Sequence, residues 1–140
     1  MKVKRIFFLF LILSIGLLIS CNETHDKDTL LETDFAFSVD SNGEASVTAY
    51  IGHSSETLTI PSEYDGHPVT SIADEAFADN LYLRSVIIPE SITNIGSSAF
   101  SGCINLKNAE IGKEGSDIVI GVGAFEGCTA LETFLLTVNR

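Results

Sequence analysis

From Ile72 onward, apolar positions recur in a register longer than any single helix or strand imposes. Ile, Ala-Phe and Leu return as Ile72, Ala76-Phe77, Leu83; then Ile95, Ala99-Phe100, Leu106; then Ile120, Ala124-Phe125, Leu131. The second and third copies read IGSSAFSGCINL and IGVGAFEGCTAL, agree at seven of twelve positions and lie 25 residues apart. The first, IADEAFADNLYL, precedes the second by 23 residues. Behind each leucine runs a short alternation, LRSVII, LKNAEI and LETFLL, and Leu58-Thr59-Ile60-Pro61 matches Val86-Ile87-Ile88-Pro89 further upstream. A period of 20–29 residues carrying L-x-x-L-x-L marks a leucine-rich repeat.

The alternation has period two, so Val86 and Ile88 are expected to point inward and Ile87 outward. Stacking such strands gives a parallel sheet rising about 4.8 Å per step. The chain then returns through segments such as Gly96–Ser101, where Ala99 permits close approach and Phe100 fills the interior. Gly102 and Gly127 stand where a positive φ suits the reversal, with Asp79 in that place in the first copy. No winding can bury its apolar face alone, which is why the sequence repeats. The expected fold is a leucine-rich-repeat solenoid of α/β type. It has a short parallel sheet on one face, short helical or irregular return segments on the other, and an N-terminal β-hairpin cap.

That cap is read from Phe35-Ala-Phe-Ser-Val39 and Ala45–Tyr50, joined across Asn42-Gly43. At the far end Thr133–Val138 is the last strand, an apolar parallel edge with no polar cap behind it. Two explanations stand there: association through that edge, or a shortened relative of a longer array.

Ahead of the fold, Lys2, Lys4 and Arg5 precede an apolar run from Ile6 to Ile19. As a helix that run rises about 21 Å, short of the roughly 30 Å hydrocarbon core, so it reads as a secretory signal. Leu18-Ile19-Ser20-Cys21 resembles the bacterial lipobox, which implies lipidation of Cys21 and attachment to a membrane without spanning it. The acidic stretch behind it resembles surface-export signals of some Gram-negative lipoproteins. The expected organisation is a lipoprotein signal peptide at 1–20 and a lipidated cysteine with polar tether at 21–33. The hairpin cap follows at 34–57 and about three repeats at 58–140.

Without the leader, 5 Lys+Arg oppose 19 Asp+Glu, a formal −14. Such a surface repels phosphate backbones, so nucleic acid is not an expected partner, and attachment to anionic lipid would need the covalent anchor.

Residues 88–106, IPESITNIGSSAFSGCINL, resemble the BspA-like (treponemal-type) bacterial leucine-rich repeat nearly throughout. The resemblance runs from about Leu58 to Leu136, with a family-like lead-in from Phe35. It implies exposure at the cell surface and attachment to host proteins or other cells. Ile111-Gly112 replaces Ile-Pro in the third copy, and SEYDGHPV at 62–69 lengthens the first loop. Family members also often carry many more repeats.

Chemistry is sparse. Cys103 and Cys128 hold the same place in adjacent windings, as a stacked pair of thiols or a disulfide. His25, His53 and His67 have no ligand spacing, and His67 lies in a turn, Asp65-Gly66-His67-Pro68. Gly121, Gly123 and Gly127 fall on repeat positions, which accounts for them without a phosphate. Asp74-Glu75 reads as an acidic pair opening a short helical turn. No metal, cofactor or catalytic set is expected.

What remains is a face. Two outward stripes run across the strands, Thr57, Ser85, Asn108 and Thr133 beside Thr59, Ile87, Glu110 and Leu135. Read functionally they form a recognition surface; read conservatively they are a solvated, β-prone face. The expected function is a non-catalytic, lipid-anchored surface protein of the cell envelope, at the outer membrane or cell surface, that binds protein or adheres to host or other cells. The alternative is an assembly part docking through its open C-terminal edge onto another lipoprotein or a second copy. Glycan capture is a weaker third, because Trp is absent and the stripes carry no Tyr.

Overall fold

The computed structural model describes residues 34–52, 56–112 and 118–136. The leader, Cys21, the tether with His25, and His53 lie outside these residues, as do 113–117 and 137–140.

The chain opens with strands β1 (Phe35–Val39) and β2 (Ala45–Tyr50), paired as an antiparallel hairpin. Its turn is tied by the Asp40 carboxylate, which accepts N–H bonds from Asn42 at 2.8 Å and Glu44 at 2.9 Å. The Glu44 N–H foremost holds the Asp40 carboxyl below its usual range. Gly43 supplies the positive φ of 82° that the reversal needs.

Eight short strands follow: β3 (Thr57–Thr59), β4 (Glu63–Tyr64), β5 (His67–Ile72), β6 (Ser85–Ile88), β7 (Asn94–Ile95), β8 (Asn108–Ile111), β9 (Val119–Ile120) and β10 (Thr133–Leu136). They form two parallel stacks rather than one. The first has the order β10-β8-β6-β3 and is parallel at every pairing. The second runs β2-β5-β7-β9, with β1 antiparallel on the outside of β2 and β4 folded back on β5. Each winding therefore contributes one strand to each sheet and closes with a return segment.

The return segments at 73–80, 96–103 and 121–128 are turns, so the irregular form of the expectation holds and the helical form does not. The reason is a pair of left-handed residues in each. Asp79, Gly102 and Gly127 have φ of 56°, 72° and 73°, where the repeat placed them. Glu75, Ser98 and Gly123 form a second set, at 58°, 54° and 66°. A left-handed residue every few positions stops a helix after one turn. Asp74-Glu75 accordingly opens no helix, and the Asp74 carboxylate instead accepts the Ser97 N–H at 2.7 Å.

This backbone divides its N–H groups in alternation. Those of Ala76, Ala78 and Asn80 turn back onto carbonyls three residues earlier, while those of Glu75, Phe77 and Asp79 donate to the next winding, to Ser97, Ala99 and Ser101. Ser98, Phe100 and Gly102 donate in the same way to Val122, Ala124 and Glu126, at 3.0, 2.7 and 2.8 Å. The return side is thus a third hydrogen-bonded ladder, and it runs in one direction.

The core lies inside these three walls and holds no buried polar or charged side chain among the described residues. Phe77 and Phe100 stack at 4.7 Å with 9° between ring planes, and Phe100 and Phe125 at 5.1 Å with 3°. Tyr50 of the cap continues the column onto Phe77 at 5.7 Å, and Phe134 closes it edge-on against Phe125 at 5.3 Å. Val86, Ala109 and Phe134 share one register, as do Ile88, Ile111 and Leu136. Val86 and Ile88 are fully buried and Ile87 half-buried, the in–out alternation read from the sequence.

The longer first loop forms a hairpin of its own. Asp65 and Gly66 both take positive φ, 50° and 83°, the signature of a tight two-residue reversal. Tyr64 stacks on Phe37 at 4.2 Å, and His67 Nδ1–H donates to the Gly43 carbonyl at 3.0 Å. The loop and the cap therefore brace each other.

Candidate functional site

Parallel pairing sets the outward side chains of the first sheet in rows. Thr57 pairs with Ser85, Ser85 with Asn108, and Asn108 with Thr133. Beside them Thr59 pairs with Ile87, Ile87 with Glu110, and Glu110 with Leu135. Both sets of residues picked out in the sequence are thus brought together, each as an unbroken row. Thr57, Thr59, Asn108 and Leu135 are exposed; Ser85, Ile87, Glu110 and Thr133 are half-buried. At about 4.8 Å per strand each row spans roughly 14 Å. The face mixes hydroxyl, amide, carboxylate and two branched aliphatic side chains, which suits hydrogen bonding around a small apolar contact.

The intervening positions hold this face in place. Leu58, Val86 and Ala109 turn inward and are at most 1% exposed. The rows therefore ride on a packed wall and not on loops.

Sequence reasoning missed a concavity elsewhere. A cleft of about 480 Å³ opens between the cap and the first return segment, lined by Tyr50, Ile51, Ala78, Asp79, Leu81 and Tyr82 among others. Burial foremost, then the charge of Asp34, raises the Tyr50 hydroxyl above its ordinary pKa. Leu81 and Tyr82 are more than half exposed. They fall between repeat positions, so periodicity carried no signal for them.

Both core cysteines are free thiols, which settles the choice left open by spacing. Cys103 S–H donates to the Phe77 carbonyl and Cys128 S–H to the Phe100 carbonyl, each at 3.1 Å. Each thiol thereby ties its own winding to the one before. Burial foremost pushes the Cys103 thiol from 9.0 up to about 11, and raises that of Cys128. Buried and protonated, they are poor nucleophiles.

The linkage gives a pH dependence. In the unfolded chain the Cys103 thiol titrates near 9.0, and in the fold near 11. Its contribution to stability is present in full below pH 9 and is lost as pH rises toward 11. The denaturation midpoint should fall across that window by more in the wild type than in Cys103→Ala, and an equal fall in both would contradict the assignment.

Among the described residues no group of three or more His, Cys, Asp or Glu could hold a metal, and no helix is long and apolar enough to cross a membrane.

Stacked parallel strands, a phenylalanine column and a repeat of 23–25 residues define a leucine-rich-repeat solenoid. The family model described as BspA type leucine rich repeat region (6 copies) matches residues 46–139. The chain belongs to that family. Among solved structures it is similar to a leucine rich repeat protein of T. pallidum, with 27% identity and a TM-score of 0.68 over 76% of this chain and 49% of that one. A leucine rich cell surface protein of Faecalibacterium prausnitzii A2-165 is 33% identical, with a TM-score of 0.65 over 75% of this chain and 29% of that one. A leucine-rich repeat protein of Bacteroides capillosus shares the fold, with a TM-score of 0.58 at 24% identity over 72% of this chain and 83% of that one. This chain spans about half the length of the first and under a third of the second. None of the curated proteins matches it.

Proposed function

We propose that this protein is a non-catalytic protein-binding module displayed at the bacterial cell surface, held there by lipid on Cys21 and adhering to host or other cells. The observation that carries the reading is the pair of in-register rows on a packed parallel wall, Thr57–Thr133 and Thr59–Leu135. It is supported by the description of the Faecalibacterium relative as a cell surface protein. The acidic balance, 19 Asp+Glu against 8 Lys+Arg in the whole chain, favours a partner with basic character. In this reading residues 1–20 are the leader and 21–33 the tether that carries the module clear of the envelope.

The test is binding of the purified full chain in detergent to a panel of extracellular-matrix proteins, compared with an Ile87→Asp/Glu110→Lys variant. A loss of tenfold or more is expected, about 1.4 kcal/mol, with unchanged circular dichroism. Equal binding by the two would remove the rows as the site. For the anchor, cells fed a labelled fatty acid should label the wild type and leave Cys21→Ser unlabelled. Label retained in that variant would overturn the lipid assignment.

A further inference from the structure

Between each return segment and the first sheet the chain turns a corner whose backbone repeats and whose exposed side chains do not. In the first winding Asn80 Oδ1 accepts the N–H groups of Tyr82 and Leu83 at 2.9 and 3.0 Å. The side-chain amide of Asn105, one winding on, donates to the Leu81 carbonyl at 2.7 Å. Leu83 and Leu106 are buried beneath, so Tyr82 and Arg84 flank Leu83 on its outer side. Leu81, Tyr82 and Ile104 are 52%, 63% and 47% exposed, and Arg84 and Lys107 are exposed with them. The fold does not ask for these residues. Thr129 N–H donates to the Gly127 carbonyl as Ile104 N–H does to that of Gly102, yet the third winding carries Thr129, Ala130 and Glu132 where the first carries Leu81, Tyr82 and Arg84.

Arg84 and Lys107 are the only Lys or Arg among the described residues, in a chain with 19 Asp+Glu. They stand side by side on consecutive windings: the Lys107 N–H donates to the Arg84 carbonyl at 2.7 Å, and the step between windings is about 4.8 Å. No ion pair joins either of them to a carboxylate among the described residues. The same position holds an acid on both flanks. Glu56 accepts the Ser85 N–H with its carbonyl, and Glu132 donates its N–H to the Lys107 carbonyl. The row therefore reads acid, base, base, acid.

That order decides what fits. A long polyanion laid along the row would meet Glu56 or Glu132 within one step, whereas a short segment bearing one or two carboxylates would not. The aliphatic Leu81 and Ile104 beside the cations suit a branched or aromatic peptide side chain. A sugar would find one ring, Tyr82, to stack on. The acidic surface as a whole favours a basic partner, and at this corner the sign reverses. We infer that the corner docks a short acidic and apolar peptide segment of a protein partner, with its carboxylates on Arg84 and Lys107 and its apolar side chain on Leu81, Tyr82 and Ile104. The inference rests on the reading of the chain as a protein-binding module, and not on the outward rows.

The test is selection of random peptides displayed on phage against the purified full chain in detergent, followed by titration of the selected peptides as synthetic material. Peptides joining Asp or Glu to Leu, Ile or Phe are expected. Their binding should fall tenfold or more in Arg84→Gln/Lys107→Gln and in Leu81→Ser/Ile104→Ser, with unchanged circular dichroism, and should weaken as salt is raised. Should one variant not fold, the other decides. Selection of no peptide, of peptides without acidic residues, or of peptides that bind both variants as well as wild type overturns the inference. So does binding of heparin or of anionic vesicles through Arg84 and Lys107 where no acidic peptide binds. Peptides lost from Ile87→Asp/Glu110→Lys and kept by the cation variant would put the site on the outward rows, and would equally overturn it. The matrix-protein comparison reads the rows separately, so either reading can fail without the other.

Discussion

Phe100→Ala is expected to destabilise the fold by about 3–5 kcal/mol, out of a total of about 5–15 for a domain of this kind. The ring is fully buried and sits between Phe77 at 4.7 Å and Phe125 at 5.1 Å. Truncation removes both stacking partners at once and leaves a void that the surrounding backbone is poorly placed to fill. The Phe100 N–H is tied to Ala124, so the two flanking windings are held apart at their hydrogen-bonded spacing. Urea denaturation followed by circular dichroism reads the effect. Leu135→Ala, at an exposed position, should shift the midpoint by no more than about 0.5 kcal/mol in equivalent terms. A Phe100→Ala midpoint as little changed as that of Leu135→Ala would contradict the interior column.

Gly96→Ala and Gly121→Ala are the second large effect, and the smallest side chain suffices. A Cβ on Gly96 would stand 2.5 Å from the Asp74 amide nitrogen, and one on Gly121 2.4 Å from that of Ser97. Both neighbours are backbone of the preceding winding, so neither can rotate aside as a side chain would. Relief requires opening the spacing between windings, which strains the hydrogen bonds that Gly96 and Gly121 donate to Ile72 and Ile95. Overpacking of this sort costs about 1–3 kcal/mol, and the upper half of that range is expected here. Gly112→Ala is the control. Its Cβ would meet nothing nearer than 3.4 Å, at Glu90 N, so its midpoint should stay within about 0.5 kcal/mol of wild type. Equal tolerance of all three substitutions would mean that the windings are not in close backbone contact.

Which features were legible in the sequence follows from what each one demands of a side chain. The phenylalanine column needs a large ring at one place in every winding, so Phe77, Phe100 and Phe125 announced it. The outward rows follow from period two, so their register could be read strand by strand. The turn at Asp79, Gly102 and Gly127 was legible because two of the three are glycine. Its counterpart at Glu75, Ser98 and Gly123 takes the same backbone conformation with three unlike residues and left no trace. The helical alternative for the return segments survived for that reason.

Other features rest on the backbone, which side-chain pattern does not report. The second parallel sheet has strands of two residues at β7 and β9, too short to alternate visibly. The glycines at 96 and 121 were visible as repeat positions, but their reason, a peptide bond 2.5 Å or less from the missing Cβ, is a matter of stacking distance. The thiols of Cys103 and Cys128 stack as spacing allowed, yet their bonds to Phe77 and Phe100 carbonyls needed coordinates. The exposure of Phe134 belongs to an end, not to a period: it keeps the inward register of Ala109 and lacks a neighbour among the described residues on its far side.

The claim beneath all of this is that consecutive windings share one apolar interior. Ring-to-ring nuclear Overhauser contacts in protein labelled at phenylalanine test it most directly, with Phe77, Phe100 and Phe125 assigned by single substitution to leucine. Strong contacts between Phe77 and Phe100 and between Phe100 and Phe125, with none between Phe77 and Phe125, are the predicted result. Absence of the two neighbouring contacts in the folded protein would contradict the stack.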